Sequence, residues 1–101
     1  MSYKIQYLRS FQRDFDEVTA YIAQSAPSAA AALSADMFSI IDQLADFPYS
    51  RKLCQLSRPL DTEYRMFTVR NYAVFYEVDE SEKAVKLYRM LYGRRDFERL
   101  L

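Results

Sequence analysis

The sequence of 101 residues contains no histidine, no tryptophan, one cysteine and one glycine. Without histidine the chain lacks the imidazole base that usually activates a cysteine nucleophile, and it lacks a common zinc ligand. A lone cysteine excludes an internal disulfide, so we expect Cys54 to be a small, partly buried apolar residue. There is also no glycine-rich phosphate loop and no cluster of metal ligands. We therefore expect no metal and no other cofactor.

Long hydrophobic runs are missing as well. No apolar stretch approaches the 18 residues of a membrane-spanning helix, and the N-terminus does not have the uninterrupted apolar segment of a signal peptide. A single cysteine fits a reducing compartment. The sequence therefore predicts one domain covering residues 1–101, without a membrane partner and located in the cytoplasm.

Aromatic residues and an uneven charge distribution are what the sequence does have. Nine tyrosines and seven phenylalanines can supply much of a small core. Residues 1–50 hold three basic and six acidic side chains, a net charge of −3, whereas residues 51–101 hold eleven basic and eight acidic side chains, a net charge of +3. This asymmetry indicates an anionic partner for the C-terminal half, although a mixed surface also produces such differences.

The N-terminal half has the periodicity of one strand and two helices. Residues 3–8 alternate with a period of two, which predicts a short strand. Apolar residues recur at helical spacing over 10–24, with Ser10 as the expected N-cap, and again over 26–46, an alanine-rich segment that Pro48 stops. Because the connection between them is short, the two helices should form an antiparallel hairpin.

The C-terminal half reads as a loop followed by three strands. Residues 48–63 show no periodicity and form an irregular, basic segment. Strand-like runs then cover 64–69, 72–78 and 83–92, joined by short turns that make them an antiparallel meander. The predicted fold is therefore α+β with the order β-α-α-β-β-β, an antiparallel sheet packed against an N-terminal helical hairpin.

Carboxylates do not form a convincing catalytic pair. Asp14, Asp16 and Glu17 fall together in the first predicted helix, and we expect them to lie on its solvent-exposed face. In that position they solvate the helix and do not perform acid–base chemistry.

Arginine and tyrosine are concentrated on the last three strands and the tail. Arginine binds phosphate or carboxylate in a bidentate manner, and tyrosine stacks or donates a hydrogen bond, so the combination suits nucleic acid or an acidic protein. The other interpretation is ordinary sheet packing and solvation. The candidate binding residues are Arg65, Tyr72, Tyr88, Arg89, Tyr92, Arg94 and Arg95.

Three local patterns resemble a known family. One is the strand 64–69 that leads by a tight turn into 71–78, another is the helix ending Leu-Ala-Asp-Phe-Pro at 44–48, and the third is 88–96, Tyr-Arg-Met-Leu-Tyr-Gly-Arg-Arg-Asp. In order and spacing they resemble the RelE/ParE superfamily, the toxins of bacterial type II toxin–antitoxin systems. The resemblance implies a cognate antitoxin whose disordered segment folds over the sheet and hairpin, with its acids paired to these arginines.

The branch of the superfamily determines the expected activity. RelE-like members cleave mRNA in the ribosome, whereas ParE-like members are known for poisoning DNA gyrase without an enzymatic site. The ribonuclease branch commonly has an arginine after the aromatic residue that opens the third strand, and here Ala73 follows Tyr72. The resemblance therefore implies a ParE-like toxin that binds DNA gyrase. Two alternatives remain open. One is a ribosome-dependent mRNA endonuclease with a substitute site built from Arg65, Arg89 and Tyr92. The other is a protein with the toxin fold that is not toxic and acts as a binding partner of an antitoxin.

Overall fold

Two helices and four strands follow the predicted order. The computed structural model describes residues 2–54 and 62–93. The elements are β1 (Lys4–Tyr7), α1 (Arg9–Ala23), α2 (Pro27–Asp46), β2 (Arg65–Val69), β3 (Tyr72–Asp79) and β4 (Ala84–Tyr92). The α+β class and the order β-α-α-β-β-β are confirmed, because the period-two and helical patterns each coincide with an observed element.

The start of α1 differs from the sequence expectation in its cap. The N-cap of α1 is Leu8, with extended backbone and no side-chain hydrogen bond to the helix. Ser10, expected as the cap, lies inside the helix and donates its hydroxyl to the backbone carbonyl of Tyr88. Helix α2 begins with Pro27, a position where the missing N–H of proline removes no helical hydrogen bond.

The sheet is mixed, with the strand order β1-β4-β3-β2. Short turns join β2, β3 and β4 into the predicted antiparallel meander. The expectation of a wholly antiparallel sheet is wrong for β1, which pairs with β4 in parallel. The physical reason is the connection: the helical hairpin separates β1 from the meander, so no tight turn forces β1 to run antiparallel to its neighbour.

The core lies between the helical hairpin and one face of the sheet. Leu33, Met37, Ile41 and Leu44 repeat every three or four residues along α2, and all four are buried. The side chains that they join in the core include Phe11 of α1 and, from the sheet, Phe67, Val69, Val74, Tyr76, Val85, Leu87 and Met90. This core fixes the positions of α1 and α2 relative to β3 and β4.

A polar network at one end of the sheet ties three distant segments together. The Glu80 carboxylate, in the turn between β3 and β4, accepts hydrogen bonds from the hydroxyls of Tyr3 and Tyr49 and from the ammonium of Lys83. Hydrogen bonds from Lys83, Tyr49 and Tyr3, in that order of importance, lower the pKa of Glu80 to about 2. The hydrogen bond between Tyr49 and Glu80 is also the main reason why the pKa of Tyr49 is raised to about 12.

Leu44→Ala tests the assignment of the core. Leu44 is completely buried, so its truncation leaves a cavity and should lower the free energy of unfolding by about 2–5 kcal/mol. Chemical denaturation measures this change. The control Phe47→Ala, at the exposed end of the same helix, should change it by less than about 1 kcal/mol. Equal effects of the two variants would contradict the described packing.

Glu80→Gln tests the polar network through its pH dependence. Because the folded-state pKa of Glu80 lies below its usual value of 4.5, the charged carboxylate stabilises the fold above about pH 4.5. That contribution is lost as the pH falls through about 2. The thermal midpoints of wild type and Glu80→Gln should differ at pH 7 and converge towards pH 2. The control is Glu82→Gln in the same turn, which removes the longer contacts with the ammonium groups of Lys86 at 3.6 Å and Lys4 at 3.7 Å. Its thermal midpoint should differ less from that of wild type at pH 7. A difference between wild type and Glu80→Gln that persists at pH 2 would refute the assigned role of Glu80.

Candidate functional site

An aromatic groove opens on the side of the helical hairpin next to β1. Its walls are Tyr7, Phe11, Phe15 and Phe38, four residues that we call the aromatic groove. Neighbouring rings lie 5.6 to 6.2 Å apart, and the volume of the groove is about 310 Å³. Rings at these separations pack in tilted, edge-on or offset arrangements, so they form a continuous apolar surface.

The groove exists because two aromatic side chains lie outside the core. Phe38 is 37% exposed and falls off the buried stripe of α2, while Tyr7 is 38% exposed at the end of β1. Burial, and secondarily the charge of Asp42, raises the pKa of Tyr7. Sequence reasoning missed this surface. The available signal was Phe38 itself, a large apolar residue one position after the buried Met37.

The rim of the aromatic groove is polar. Gln12 and Asp16 of α1 line it on one side, and both side chains are exposed. Asp42 of α2 lies close enough to influence Tyr7. An apolar floor with a polar rim is the usual anatomy of a protein-binding surface.

A second concave surface lies where β4 ends. The rings of Tyr72 and Tyr92 meet edge to face with centroids 5.5 Å apart. They line a pocket of about 280 Å³ together with Thr68, Arg70, Asn71, Ala73 and Gly93. Gly93 has a φ of +69°, a conformation that favours glycine, and its N–H donates to the carbonyl of Asn71. The structure thus brings together two of the predicted binding residues, Tyr72 and Tyr92.

The remaining predicted tyrosine belongs to a different contact. Tyr88 packs on Tyr64 with ring centroids 5.0 Å apart. Burial first, and then the hydrogen bond with Tyr88, raises the pKa of Tyr64 to about 12. The Tyr64 phenol is therefore protonated at neutral pH, and the two side chains pack together as hydrogen-bond partners.

Arg89 is held by a carboxylate that sequence reasoning assigned to solvent. The Asp14 oxygens accept from Arg89 Nε at 2.7 Å and Nη2 at 3.1 Å, and from the Met90 N–H at 3.0 Å. The Asp14 side chain is only 12% exposed and that of Arg89 21%. The expectation that Asp14 faces solvent is therefore wrong, because its part of α1 faces β4; Asp16 and Glu17 are exposed as expected.

Arg65 also has internal partners. Its Nη1 donates to the carbonyl of Arg51 at 2.6 Å, and its guanidinium lies 4.9 Å from the ring centroid of Tyr49. Arg65 and Arg89 therefore point to different parts of the protein and do not converge with Tyr92. The predicted residues Arg94 and Arg95 lie outside the described residues.

The described part of the chain offers little for covalent or metal chemistry. Burial raises the pKa of the Cys54 thiol to about 11, so the thiolate nucleophile is scarce at neutral pH. Within residues 2–54 and 62–93, no group of three or more carboxylates and thiols is close enough to hold a metal ion. Over the same residues, neither helix has the length and apolar character needed to cross a membrane.

Comparison with solved structures identifies the same architecture in known toxins. The chromosomal ParDE system of P. aeruginosa contains a chain with 14% identity and a TM-score of 0.71, covering 92% of this chain and 98% of that one. The RelE–RelB complex of Pyrococcus horikoshii contains a chain with 18% identity and a TM-score of 0.62, and the match covers 94% of this chain and 99% of that one. Isolated E. coli RelE has 13% identity and a TM-score of 0.63, and the match covers 99% of this chain and 100% of that one. At such identities the likeness establishes the fold.

The sequence itself supplies the family. No curated protein gives a significant match to the chain. The family model described as the ParE toxin of the type II toxin–antitoxin system parDE matches residues 5–97, nearly the whole sequence. The resemblance drawn from the strand and helix patterns is therefore confirmed, and the chain belongs to the ParE toxin family within the RelE/ParE superfamily of type II toxin–antitoxin toxins.

Proposed function

We propose that this toxin arrests growth by binding a cellular protein, DNA gyrase, in the cytoplasm, and that a cognate antitoxin neutralises it. The observation that supports the proposal is the presence of two aromatic concave surfaces on the described residues. These are an exposed aromatic groove and a tyrosine-lined pocket, whereas the sheet arginines are engaged within the protein. The family match supplies the toxin class, and gyrase follows from the ParE-like resemblance.

The groove favours an amphipathic segment of the antitoxin as its ligand. Aromatic anchors in an apolar depression dominate the binding energy of protein interfaces. A disordered antitoxin segment that folds on binding can place apolar residues on Tyr7, Phe15 and Phe38 and polar residues on the rim. Two of the similar solved structures, from Mycobacterium tuberculosis and Pyrococcus horikoshii, are complexes of such a toxin with its antitoxin.

The alternative of an mRNA endonuclease has less support in the geometry. Cleavage by a 2′-hydroxyl requires donors directed at the developing phosphorane charge and groups that move protons. The three residues of the hypothetical substitute site do not meet: Arg65 is bound to Arg51 and Tyr49, Arg89 is bound to Asp14, and Tyr92 packs on Tyr72. Ala73, in the position of the missing arginine, is buried. These contacts favour a docking protein over an enzyme.

Phe38→Ala and Tyr7→Ala test the aromatic groove as the antitoxin site. Each removes an aromatic anchor, so the affinity for the antitoxin encoded in the neighbouring reading frame should fall at least about tenfold by calorimetry. Growth arrest should then persist despite co-expression of the antitoxin. Tyr21→Ala is the control, since Tyr21 is 74% exposed on α1 outside the groove, and it should bind normally. Unchanged affinity of both groove variants would exclude this surface.

Gyrase inhibition is tested with purified toxin and relaxed plasmid. Wild type should inhibit supercoiling, and expression in cells should induce DNA-damage signalling while primer extension finds translated mRNA intact. The double variant Arg94→Ala and Arg95→Ala should inhibit more weakly, because it removes two cations that can bind an anionic target surface. The control Arg9→Ala and Arg13→Ala removes two exposed arginines of α1 and should inhibit as wild type does.

Two outcomes would refute gyrase inhibition. Fresh cleavage of mRNA at codons, with unimpaired supercoiling, would identify the endonuclease. Normal growth on expression without any antitoxin would identify a non-toxic partner protein.

A further inference from the structure

Within residues 2–54 and 62–93, the end of β4 has no neighbouring strand on the β1 side. Strand β1 ends at Tyr7, and the N–H of Leu8 makes the last backbone hydrogen bond of this pairing, to the carbonyl of Leu87 at 3.1 Å. Strand β4 continues to Tyr92 with β3 on its other side. Residues 88–92, which we call the β4 end, therefore need other partners on the β1 side.

A β-bulge turns backbone groups of the β4 end towards α1. Phe75 pairs with Arg89 and Tyr76 pairs with Leu87, which leaves Tyr88 as an extra residue on β4. Along a strand, backbone groups of successive residues point alternately to one neighbour and to the other, and the bulge shifts this alternation by one residue. As a result the carbonyl of Tyr88 and the N–H of Met90, and not those of Arg89, face the helix.

Two side chains of α1 take the place of the missing strand. Ser10 and Asp14 are four residues apart, so they share one face of the helix. Ser10 Oγ donates to the Tyr88 carbonyl at 2.6 Å, and Asp14 Oδ2 accepts from the Met90 N–H at 3.0 Å. The carboxylate also holds the Arg89 side chain through Nε and Nη2. Hydrogen bonds to a charged, largely buried carboxylate are stronger than neutral ones.

The held segment carries three of the residues predicted to bind a partner. Tyr88 packs on Tyr64, and Tyr92 lines the pocket with Tyr72. Both rings are carried by the backbone that Asp14 and Ser10 restrain. A displacement of this backbone of about 1 Å is enough to misplace a binding group.

We propose that Asp14 and Ser10 are positioning residues that fix the β4 end for docking of the cellular target. This inference rests on the proposed toxin function. It assigns to Arg89 an internal role: Arg89 anchors the β4 end to α1 and does not contact the target. Asp14 acts through Met90 and Arg89 and has no direct contact with the target.

Asp14→Asn is the principal test. It keeps the shape of the side chain but removes its charge, which weakens the hold on Arg89. The inhibition of gyrase should weaken at least about tenfold, the factor that loss of a charge-assisted hydrogen bond produces in an equilibrium constant. Hydrogen exchange should accelerate at the amide of Met90 and stay unchanged at the amide of Val74. Ser10→Ala, which removes only the bond to Tyr88, should produce the same changes to a smaller extent.

The matched control is Glu82→Gln. Glu82 also forms ion pairs, with Lys4 at 3.7 Å and Lys86 at 3.6 Å, but its side chain is half exposed and lies in the turn before β4, away from the β4 end. It should inhibit as wild type does, because exposed ion pairs contribute little. All assays compare equal amounts of folded protein, measured by circular dichroism.

The outcomes separate the two proposals. Wild type that fails to inhibit refutes the proposed function. Wild type that inhibits, together with an Asp14→Asn variant that inhibits equally well, overturns the positioning role alone. If Asp14→Asn does not fold, Ser10→Ala is the test of the positioning role. Full inhibition of gyrase by Ser10→Ala, together with accelerated hydrogen exchange at the amide of Met90, would also overturn that role. A thermal midpoint that falls without loss of inhibition assigns Asp14 a purely structural role.

Discussion

Strand β4 is the element on which the rest of the structure depends. It pairs with β3 over its whole length, with β1 in parallel over its first half, and with side chains of α1 where β1 has ended. Its inward residues Val85, Leu87 and Met90 are buried in the core. Because β4 has both sheet neighbours and the first helix as partners, its position links the sheet to α1.

The distribution of charge supports the proposed docking role of this toxin. The cations of the sheet have carboxylate or carbonyl partners within the chain, as Arg65, Lys86 and Arg89 illustrate. A guanidinium that is already bound is a poor stabiliser of a developing phosphorane, because it would have to leave its partner first. Among the described residues, the groove beside α1 and the tyrosines at the end of β4 provide accessible aromatic surface. Aromatic side chains bind proteins with a small loss of conformational entropy.

The aromatic groove and the β4 end lie on different sides of α1. Phe11 and Phe15 form a wall of the groove, while Ser10 and Asp14, on another face of the same helix, hold β4. One helix therefore supports both the proposed antitoxin surface and the proposed target surface. An antitoxin segment that occupies the groove has to extend around α1 before it can also cover the β4 end.

The sequence by itself determined the order and type of the elements, because apolar periodicity reports local structure within a few residues. It also determined the buried positions Leu33, Met37, Ile41 and Leu44 of α2, although Phe47, at the end of the same apolar pattern, is exposed. The family, too, follows from patterns that are contiguous in the sequence. Only the tertiary structure decided that β1 joins β4 in parallel, that Phe38 completes a groove, and that Asp14 meets Arg89, a residue 75 positions away. Such pairings depend on how helices and sheet pack, and periodicity along the chain contains no information on contacts between elements so far apart in sequence.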